Sequence, residues 1–410
     1  MCRKTAAIDS DACGEVQFDI VRQDRQVEES RGFLDATQEV GSMHVGYGTG
    51  FQHLGDYPDD LFIKRELGLC LMAEEFGMDS VWATEHHFDN YSISPDVLQL
   101  LSFLAGKTKR VKLGSMVIVV PWHDPVRLAE QIVLLDHYSG GRYILGVGRG
   151  LARREFEGLR IEQGEARRRF DEYTELILNG LETGFMEGGA TLKQPRREIR
   201  PRPFKSFKGR SFAAAASADS VPVVARLGLG MLVILQKPWK QVTADFELYH
   251  QCWQQHHPGT EPPKPFCSGF CFVDESADRA EELARKYLAA NYRAALDHYE
   301  ILSKHFEMTK GYERYAEMSK HMNRIGADQA VEDYTQLMPW GTPKQVLEKF
   351  AAMKNLIDMQ GVMPNFHFGG MPYEEAERNV KCFVKHCMPE LKSWPAASLE
   401  DPKELALSAA

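Results

Sequence analysis

The hydrophobic pattern of this chain alternates between two kinds of segment from residue 43 onward. Short apolar runs are each followed by a longer stretch whose apolar residues recur at helical spacing. A repeated strand-then-helix pattern is typical of a parallel sheet covered by helices. The predicted strands are 43–51, 79–86, 111–120, 142–149, 212–216, 231–235, 267–273 and 360–368. Eight such units predict a closed α/β barrel, the (β/α)8 TIM barrel.

Helix boundaries are marked by proline or a hydroxyl residue at the start and by glycine at the end. The predicted helices are 61–76, 95–106, 125–138, about 165–183, one after Ser217 that ends at Leu227 and Gly228, 239–255, one after Ser276, one from Thr342, and about 372–388.

Three segments lie outside this repeat. Residues 1–41 are polar with little periodicity, which predicts an appended N-terminal arm that is disordered or lies over a neighbouring subunit. The stretch 290–340 is long, polar and rich in Tyr, His and Lys, so we expect an insertion that acts as a lid or is a simple helical elaboration. The barrel itself is expected to span 42–392, followed by a tail at 393–410.

Composition and charge exclude several classes of protein. The net charge of −9 and the pI of about 5.9 argue against nucleic acid or an anionic membrane as the main partner. The eight cysteines include no C-x-x-C pair, so we expect reduced thiols. No apolar run is long enough to span a bilayer and no signal-peptide core is evident, which predicts a cytoplasmic protein.

Residues 142–150 place an apolar strand directly before glycines that flank one arginine, Arg149. The glycines follow a G-x-G-x-G spacing, and Leu151 stands where a dinucleotide-binding fingerprint has its third glycine. We therefore do not predict a Rossmann domain. Such a strand end lets backbone and guanidinium contact an anionic ligand together, and a solvated loop charge is the alternative for Arg149.

A histidine stands at the end of the second predicted strand. Because side chains alternate between the two faces of a strand, Trp82, Thr84 and His86 are predicted to point into the barrel mouth. Barrel enzymes place catalytic groups there, and a histidine can exchange a proton near neutral pH. A satisfied interior histidine is the alternative. We predict no metal at Glu85, His86 and His87, because adjacent residues of a strand diverge.

Several dispersed blocks together give the chain a family resemblance. In order along the sequence they are 81–88, 114–121 with 123–125, 135–142, 146–150, 215–220, 341–343 and 368–372. Their residues, order and spacing resemble the bacterial luciferase-like family of flavin-dependent monooxygenases over roughly residues 43–390. Several blocks in the right order are far more specific than any one of them.

This resemblance implies both a fold and a reaction. The family has a (β/α)8 barrel that binds reduced FMN at the carboxyl ends of its strands and adds O2 to the flavin as a C4a-peroxide. One oxygen atom then passes to an organic substrate, and a separate flavin reductase supplies the reduced FMN. His86 is implied as the catalytic group that handles protons beside the flavin ring. A homodimer is also expected.

The resemblance assigns the FMN phosphate to donors on neighbouring strand ends. Arg149, directly after Gly148, matches the family's phosphate-binding arginine. Arg167 aligns with a second arginine that reaches the same phosphate, although Arg168 and Arg169 leave that register open.

Hydroxyl groups after the fifth strand complete the implied phosphate site. Ser217 and Ser220, with Ala216 beside them, match positions at a helix start, where free N–H groups and the helix dipole favour an anion. Plain helix capping is the alternative, and both roles can hold at once.

The third strand corresponds to the segment beneath the isoalloxazine ring. In the family this segment, here Ser115, Met116 and Val117, often contains a non-proline cis peptide, and we expect one near Met116 and Val117. Ordinary barrel filling is the alternative for these side chains.

Two departures and two further hypotheses qualify the resemblance. Light-emitting luciferases commonly have cysteine where this chain has Gly148, and they lack its N-terminal arm, so we expect oxygenation of a hydrophobic or aromatic molecule by hydroxylation, epoxidation or Baeyer–Villiger insertion. The alternatives are an F420-dependent oxidoreductase and a non-catalytic partner subunit.

A set of aromatic residues near the strand ends is expected to form either a substrate pocket or ordinary core: Tyr47, Phe51, Trp82, Trp122, Phe366 and Phe368.

Overall fold

Strands and helices alternate along the chain much as the hydrophobic pattern predicts. The computed structural model describes residues 40–214, 219–399 and 401–407. The strands are β1 (Val40–Ser42), β2 (His44–Thr49), β3 (Ser80–Ala83), β4 (Lys112–Ser115), β5 (Ile118–Val119), β6 (Tyr143–Gly148), β7 (Phe185–Gly188), β8 (Gln194–Glu198), β9 (Ser211–Ala214), β10 (Gly230–Ile234), β11 (Phe266–Phe270), β12 (Phe272–Val273), β13 (Trp340–Gly341), β14 (Gly361–Asn365) and β15 (Pro395–Ala397).

The helices follow the strands at the predicted places. They are α1 (Asp59–Glu75), α2 (Val97–Lys107), α3 (Pro125–Ser139), α4 (Arg153–Gly158), α5 (Ala166–Thr183), α6 (Val221–Arg226), α7 (Trp239–His256), α8 (Ala277–His298), α9 (Glu313–Ile325), α10 (Ala327–Leu337), α11 (Pro343–Ile357), α12 (Tyr373–His386) and α13 (Met388–Ser393). Two predicted helix starts are capped: Ser276 accepts from the N–H of Arg279, and Thr342 forms a capping box with Gln345. The start predicted at 95 is wrong by two residues, because Asp96 caps α2 by accepting from the Gln99 N–H.

Eight parallel strands close into one barrel, which confirms the predicted (β/α)8 fold. Around the barrel the order is β2, β3, β4, β6, β9, β10, β11 and β14, and β14 pairs again with β2. The barrel strands end earlier than the apolar runs suggest. The run predicted to end at residue 86, for example, ends at Ala83, so Thr84 and His86 lie in the loop at the barrel mouth.

The barrel interior is filled by large side chains from different strands. This packing explains why the strands read as continuous apolar runs, since both of their faces are buried. The inner cluster consists of Trp82, Met116, Ile144, Phe212, Leu232, Phe266 and Met363.

The barrel closes between β4 and β6 through an unusually close approach of two backbones. The Ser115 hydroxyl lies 2.8 Å from both the N–H and the carbonyl oxygen of Gly146, and 2.9 Å from the Tyr143 hydroxyl. A side chain on Gly146 would collide with the Ser115 carbonyl oxygen. Directly after Ser115, the Met116–Val117 peptide bond is cis, as predicted, and β5 then pairs with the end of β6.

The predicted insertion is helical and follows the seventh barrel strand. Helix α8 is succeeded by a short helical turn at 305–308 and then by α9 and α10. Strand β13 pairs with β12 beside this region, and α11 returns the chain to β14. The insertion contacts the fourth strand end, because the Tyr312 hydroxyl donates to the Gly150 carbonyl oxygen at 3.0 Å.

The two ends of the described chain lie together. Strand β1 pairs antiparallel with β15, with Val40 opposite Ala397. Val40 and Gly41 are therefore part of a strand, whereas the rest of the predicted N-terminal arm lies outside the described residues. The predicted tail also pairs with the chain near residue 205, where the Ser206 N–H donates to the Lys403 carbonyl oxygen.

Two further features concern the cysteines and the helices of the described residues. The cysteines among them are all free thiols. No helix in this part of the chain has both the length and the apolar character that crossing a bilayer requires.

The β4–β6 contact predicts a strong effect of adding one methyl group. We expect Gly146→Ala to lower the free energy of unfolding by about 1–3 kcal/mol or more, because the new Cβ meets a backbone oxygen that cannot rotate away. Gly68→Ala is the matched control: its Cβ meets nothing within 4 Å on helix α1, so stability should be kept or improved. Urea unfolding of both variants measures the difference, and equal stabilities would contradict this account.

Candidate active site

A cavity of about 230 Å³ lies at the carboxyl ends of the barrel strands. Its walls come from the segments after the strands and from helices α8, α9 and α10 of the insertion side. It brings together six of the residues predicted for the site: His86, Met116, Val117, Gly148, Arg149 and Ser220. Residues that are 30 to 134 positions from His86 in the sequence therefore line the same cavity as His86.

His86 is held between a carboxylate and a phenol at the edge of this cavity. Its Nδ1 lies 3.0 Å from Oε1 of Glu155, and its Nε2 lies 3.3 Å from the hydroxyl of Tyr299. A carboxylate can only accept, so Nδ1–H donates and Nε2 is left to accept a proton. Burial raises the pKa of Tyr299 well above its ordinary value, so this phenol stays neutral and can donate to Nε2.

Glu155 is the buried carboxylate that orients this histidine. It lies on α4, is 1% exposed, and its Oε1 also accepts the backbone N–H of His87 at 2.8 Å. Burial opposes ionisation, but the electrostatic attraction and hydrogen bonds between Glu155 and the two histidines, His86 and His298, outweigh it and lower the pKa of Glu155 to about 2. Glu155 is therefore ionised throughout the neutral range.

A second histidine that sequence reasoning missed lies on the other side of Glu155. His298 is fully buried at the end of α8, with Nε2 3.5 Å from Glu155 Oε1 and Nδ1 3.3 Å from Oδ2 of Asp89. Its ring stacks on that of Tyr91 with 4.6 Å between the centroids. The richness of the 290–340 segment in histidine and tyrosine was the only signal in the sequence.

The side chains of Glu85, His86 and His87 do not converge on one point, in keeping with alternation along an extended chain. Glu85 accepts from His123 Nε2 at 2.7 Å and from the Val119 N–H at 2.7 Å, whereas His86 turns to Glu155. Burial opposes ionisation of Glu85, but hydrogen bonds from His123 and His87 lower its pKa.

A different trio brings three possible metal-ligating groups within 4.8 Å: His86, Glu155 and His298. Side chains joined by hydrogen bonds also lie this close together. Because His86 and Glu155 do form a hydrogen bond, we interpret the trio as a hydrogen-bonded network and assign no metal to it.

Basic and hydroxyl groups gather at another wall of the cavity, which Arg149 and Ser220 line and which Arg167 supports through Ser220 without lining the cavity itself. Arg167 donates from Nη2 to the Ser220 hydroxyl at 2.8 Å, and its Nη1 lies 3.5 Å from Asp171 Oδ1 without a hydrogen-bond partner among the described residues. Burial and the nearby positive charge of Arg149 lower the pKa of Arg167. Two cations placed this close favour an anion between them.

The structure also resolves which of the three consecutive arginines faces this wall. Arg168 pairs with Glu165 and Glu172 on the outer surface, and Arg169 stacks over the ring of Tyr173. Arg167 is therefore the member of the run that reaches Ser220.

Arg149 joins this wall to the insertion. Its Nη1 donates to the Gly311 carbonyl oxygen at 2.8 Å, and its guanidinium lies 4.3 Å from the centre of the Tyr312 ring. The solvated loop charge considered for Arg149 is therefore not what the structure shows.

The predicted ring-binding segment divides into two parts. Met116 and Val117 line the cavity, whereas the Ser115 side chain is fully buried and bonds to β6. A side chain on Gly148 would collide with Val117, which gives a packing reason for glycine where light-emitting luciferases commonly have cysteine. Ala216 and Ser217 lie outside the described residues.

Aromatic residues line the cavity, but they are mostly not the ones proposed from sequence. Of that set only Trp122 lines it, and Tyr47, Phe51, Trp82, Phe366 and Phe368 belong to the buried core. The insertion and its neighbours supply the others, because the chain folds back over the barrel mouth: Tyr91, Phe270, Tyr292, Tyr299, Tyr315 and Tyr334.

A second cavity of about 420 Å³ adjoins the first. It lies among β10, α7, α9 and α10, and Tyr292, Tyr315, Met318 and Tyr334 line both spaces. The rings of Tyr292 and Tyr334 stack in parallel, 4.1 Å apart.

A closed barrel with a histidine and a basic wall around one cavity, at the carboxyl ends of its strands, is the arrangement of barrel enzymes. The model of one protein family, described as luciferase-like monooxygenase, matches residues 43–359. This chain belongs to that family, which confirms the resemblance inferred from the sequence blocks.

Relatives and solved structures agree with this membership. The alkanal monooxygenase alpha chain of Photobacterium leiognathi is 25% identical over 337 residues, covering 80% of this chain and 94% of the relative. The monooxygenase RslO1 of Streptomyces bottropensis superposes with a TM-score of 0.70 at 23% identity, covering 85% of this chain and 99% of its own.

Two further structures share the fold but bind different cofactors. The oxygenating constituent of 3,6-diketocamphane monooxygenase from Pseudomonas putida, in complex with FMN, has a TM-score of 0.65 at 17% identity and covers 85% of this chain and 99% of its own. The coenzyme F420-dependent tetrahydromethanopterin reductase of Methanopyrus kandleri has a TM-score of 0.60 at 18% identity, covering 86% and 100%.

The buried carboxylate predicts a pH-dependent contribution to stability. Because the pKa of Glu155 falls from 4.5 to about 2 on folding, its ionised form contributes about 3 kcal/mol above pH 4.5. That contribution is lost as the pH falls through 2, with about 2 kcal/mol gone by pH 3.

We therefore expect the difference in unfolding free energy between the native protein and Glu155→Gln to shrink by about 2 kcal/mol between pH 7 and pH 3. Urea unfolding at the two pH values measures it. The exposed Glu261→Gln serves as control and should show no such change. A pH-independent effect of Glu155→Gln would rule out this role.

Proposed function

We propose that this chain is a monooxygenase that uses reduced FMN to insert one oxygen atom from O2 into a hydrophobic or aromatic small molecule. The observation that carries the proposal is the meeting of His86, Arg149 and Ser220 around one cavity of a luciferase-like barrel, with Arg167 hydrogen-bonded to Ser220. When bound, reduced FMN supplies the electrons that activate O2, and the protein supplies binding, orientation and proton handling.

The basic wall fits the phosphate of FMN. Arg149 and Arg167 are two cations near one another, and Ser220 adds a hydroxyl at the start of α6. The buried Nη1 of Arg167 makes no hydrogen bond among the described residues, its ion pair with Asp171 being 3.5 Å long, and a buried donor of this kind favours an anionic acceptor. The same cavity extends from this wall to Met116 and Val117, where the flat ring system would lie.

His86 is suited to hold and move a proton at Nε2. Glu155 fixes the ring by accepting from Nδ1, which leaves the lone pair of Nε2 directed to the Tyr299 hydroxyl and the cavity. The Tyr299 hydroxyl is itself a donor, so a proton taken up at Nε2 displaces that hydrogen bond without moving the ring.

The walls of the two adjoining cavities support an apolar substrate. Tyrosine and methionine side chains from the insertion, with Phe246 of α7 and Phe270 of β11, enclose the space beside His86 and limit access of water. The second cavity gives room for a molecule larger than one aromatic ring.

The remaining parts of the proposal concern partners. We found no nicotinamide-binding fingerprint at 142–150, so a separate flavin reductase is proposed as the source of reduced FMN. We also propose a homodimer in the cytoplasm. The F420-dependent fold match keeps a second candidate open, in which hydride transfer occurs without O2.

Arg149 predicts discrimination between flavins that differ only in phosphate. We expect Arg149→Ala to weaken FMN binding by about tenfold to a hundredfold, because a charge-assisted hydrogen bond contributes about 1.5–3 kcal/mol. Riboflavin, which has no phosphate, should bind about as well as before. Fluorescence titration with both flavins measures this.

Arg168→Ala is the matched control, since Arg168 pairs with surface glutamates one residue from Arg167. Equal losses for FMN and riboflavin in Arg149→Ala would contradict the phosphate assignment. Absence of saturable FMN binding to the native protein would instead favour a non-catalytic partner subunit.

His86 predicts a loss of oxygenation without a loss of flavin. With reduced FMN, 18O2 and a panel of bicyclic ketones and aromatic compounds, the native protein should place one 18O atom in a product. His86→Ala should slow this by about 10²–10⁴-fold, the usual contribution of a proton-transferring group, while FMN affinity stays the same.

The exposed His256→Ala is the control and should turn over normally. Normal turnover by His86→Ala would remove this histidine from the mechanism. Consumption of reduced F420 in the absence of O2 would favour the hydride-transfer alternative.

A further inference from the structure

His298 lies where it can govern the proton on His86. We propose that His298 is a positioning residue that stays positively charged between Asp89 and Glu155, and that it thereby keeps His86, which shares Glu155, uncharged and able to accept a proton. The importance of this for turnover rests on the proposed role of His86, but the charge assignment itself does not require the flavin.

The surroundings of His298 favour its cationic form. Each ring nitrogen lies at ion-pair distance from a carboxylate oxygen, Nδ1 3.3 Å from Asp89 and Nε2 3.5 Å from Glu155, and neither nitrogen makes a hydrogen bond to any described residue. A neutral imidazole has one N–H and one lone pair, and the lone pair would then face an anion. Only the doubly protonated ring presents a donor to both carboxylates.

The helix that carries His298 adds to this preference. His298 is the last residue of α8, a helix of 22 residues, and the carboxyl end of a helix favours a positive charge. The ring is fully buried and stacked on Tyr91, so solvent does not screen these interactions.

The charges that face the pair of histidines also balance with one added proton. Asp89 and Glu155 carry two negative charges, and Arg154, which pairs with Asp89, carries one positive charge. Asp297 also lies 3.8 Å from Arg154, but its side chain is exposed and solvent screens its charge, so it is left out of the buried balance. Tyr91 and Tyr299 complete the contacts, and burial raises the pKa of both phenols, so they are neutral. One protonated histidine makes the cluster neutral, and a second would leave an uncompensated buried cation.

Geometry decides which histidine holds that proton. His298 contacts two carboxylates, whereas His86 contacts only Glu155 and receives the Tyr299 hydroxyl at its other nitrogen. The rings of the two histidines are 5.0 Å apart, close enough for the charge on one to oppose charging of the other. The buried ring therefore takes the proton and the ring at the cavity stays neutral.

The test uses histidine NMR of the full chain without flavin, in the presence of EDTA. Signals of His86 and His298 are assigned by their loss in His86→Ala and His298→Gln. We expect His298 to remain an imidazolium across the neutral range and His86 to be neutral at pH 7.5. In His298→Gln, the pKa of His86 should rise by about one unit, a tenfold change in proton affinity, because Glu155 then faces a single histidine.

Two controls separate this effect from a change in fold. The exposed His250→Gln should leave the His86 titration unchanged. If His298→Gln does not fold, Asp89→Asn tests the same idea. Removing this carboxylate should lower the pKa of His298, and the pKa of His86 should change by a smaller amount.

Several results would overturn the proposal. An unaltered His86 titration in His298→Gln, or a His298 that is neutral at pH 7.5, would show that the two rings do not share charge in this way. Perturbation of both signals by stoichiometric Zn²⁺ at low concentration would assign the trio to a metal instead. Failure of FMN to bind would contradict the oxygenase proposal, but it would not change the conclusions drawn from these histidine titrations.

Discussion

The site depends on one tight contact, the approach of β4 to β6 where the barrel closes. The Ser115 hydroxyl bridges the N–H and carbonyl of Gly146, and the Val117 side chain then lies against Gly148. That contact sets the wall at Met116 and Val117, and it fixes the strand end from which Arg149 emerges. Glycine is required at 146 because the Ser115 carbonyl oxygen takes the space, and at 148 because the Val117 side chain does.

A single carboxylate then organises the opposite side of the cavity. Glu155 comes from the short helix after β6, His86 from the loop after β3, and His298 from the end of α8. Three segments that are distant in sequence are thus joined at one oxygen atom, Oε1. Because this oxygen is buried, solvent screens its interactions only weakly. A change of charge or position in any of the three segments therefore alters the electrostatic interactions of the other two.

Much of the architecture could be predicted because its causes are local. The strand-helix alternation gives the barrel, and the order of the sequence blocks indicates the family, the cis peptide and the place of Arg149. The strand ends could not be predicted, since apolar residues continue past Ala83 into the mouth. Nor could His298 or the tyrosine wall, because their position depends on how the insertion returns over the barrel, and periodicity carries no information on contacts 212 residues apart, the separation of His86 and His298. The orientation of Ser115 similarly depends on a neighbouring strand.

The antiparallel pair β1–β15 has a consequence for how the chain can be cut and rejoined. Val40 and Ala397 lie side by side, so a linker of a few residues would connect them without crossing any part of the barrel. The exposed turn between β7 and β8 could then supply new ends, as it carries no residue that lines either cavity. A circularly permuted form of this protein would keep every barrel strand whole while moving both termini to the outer hairpin.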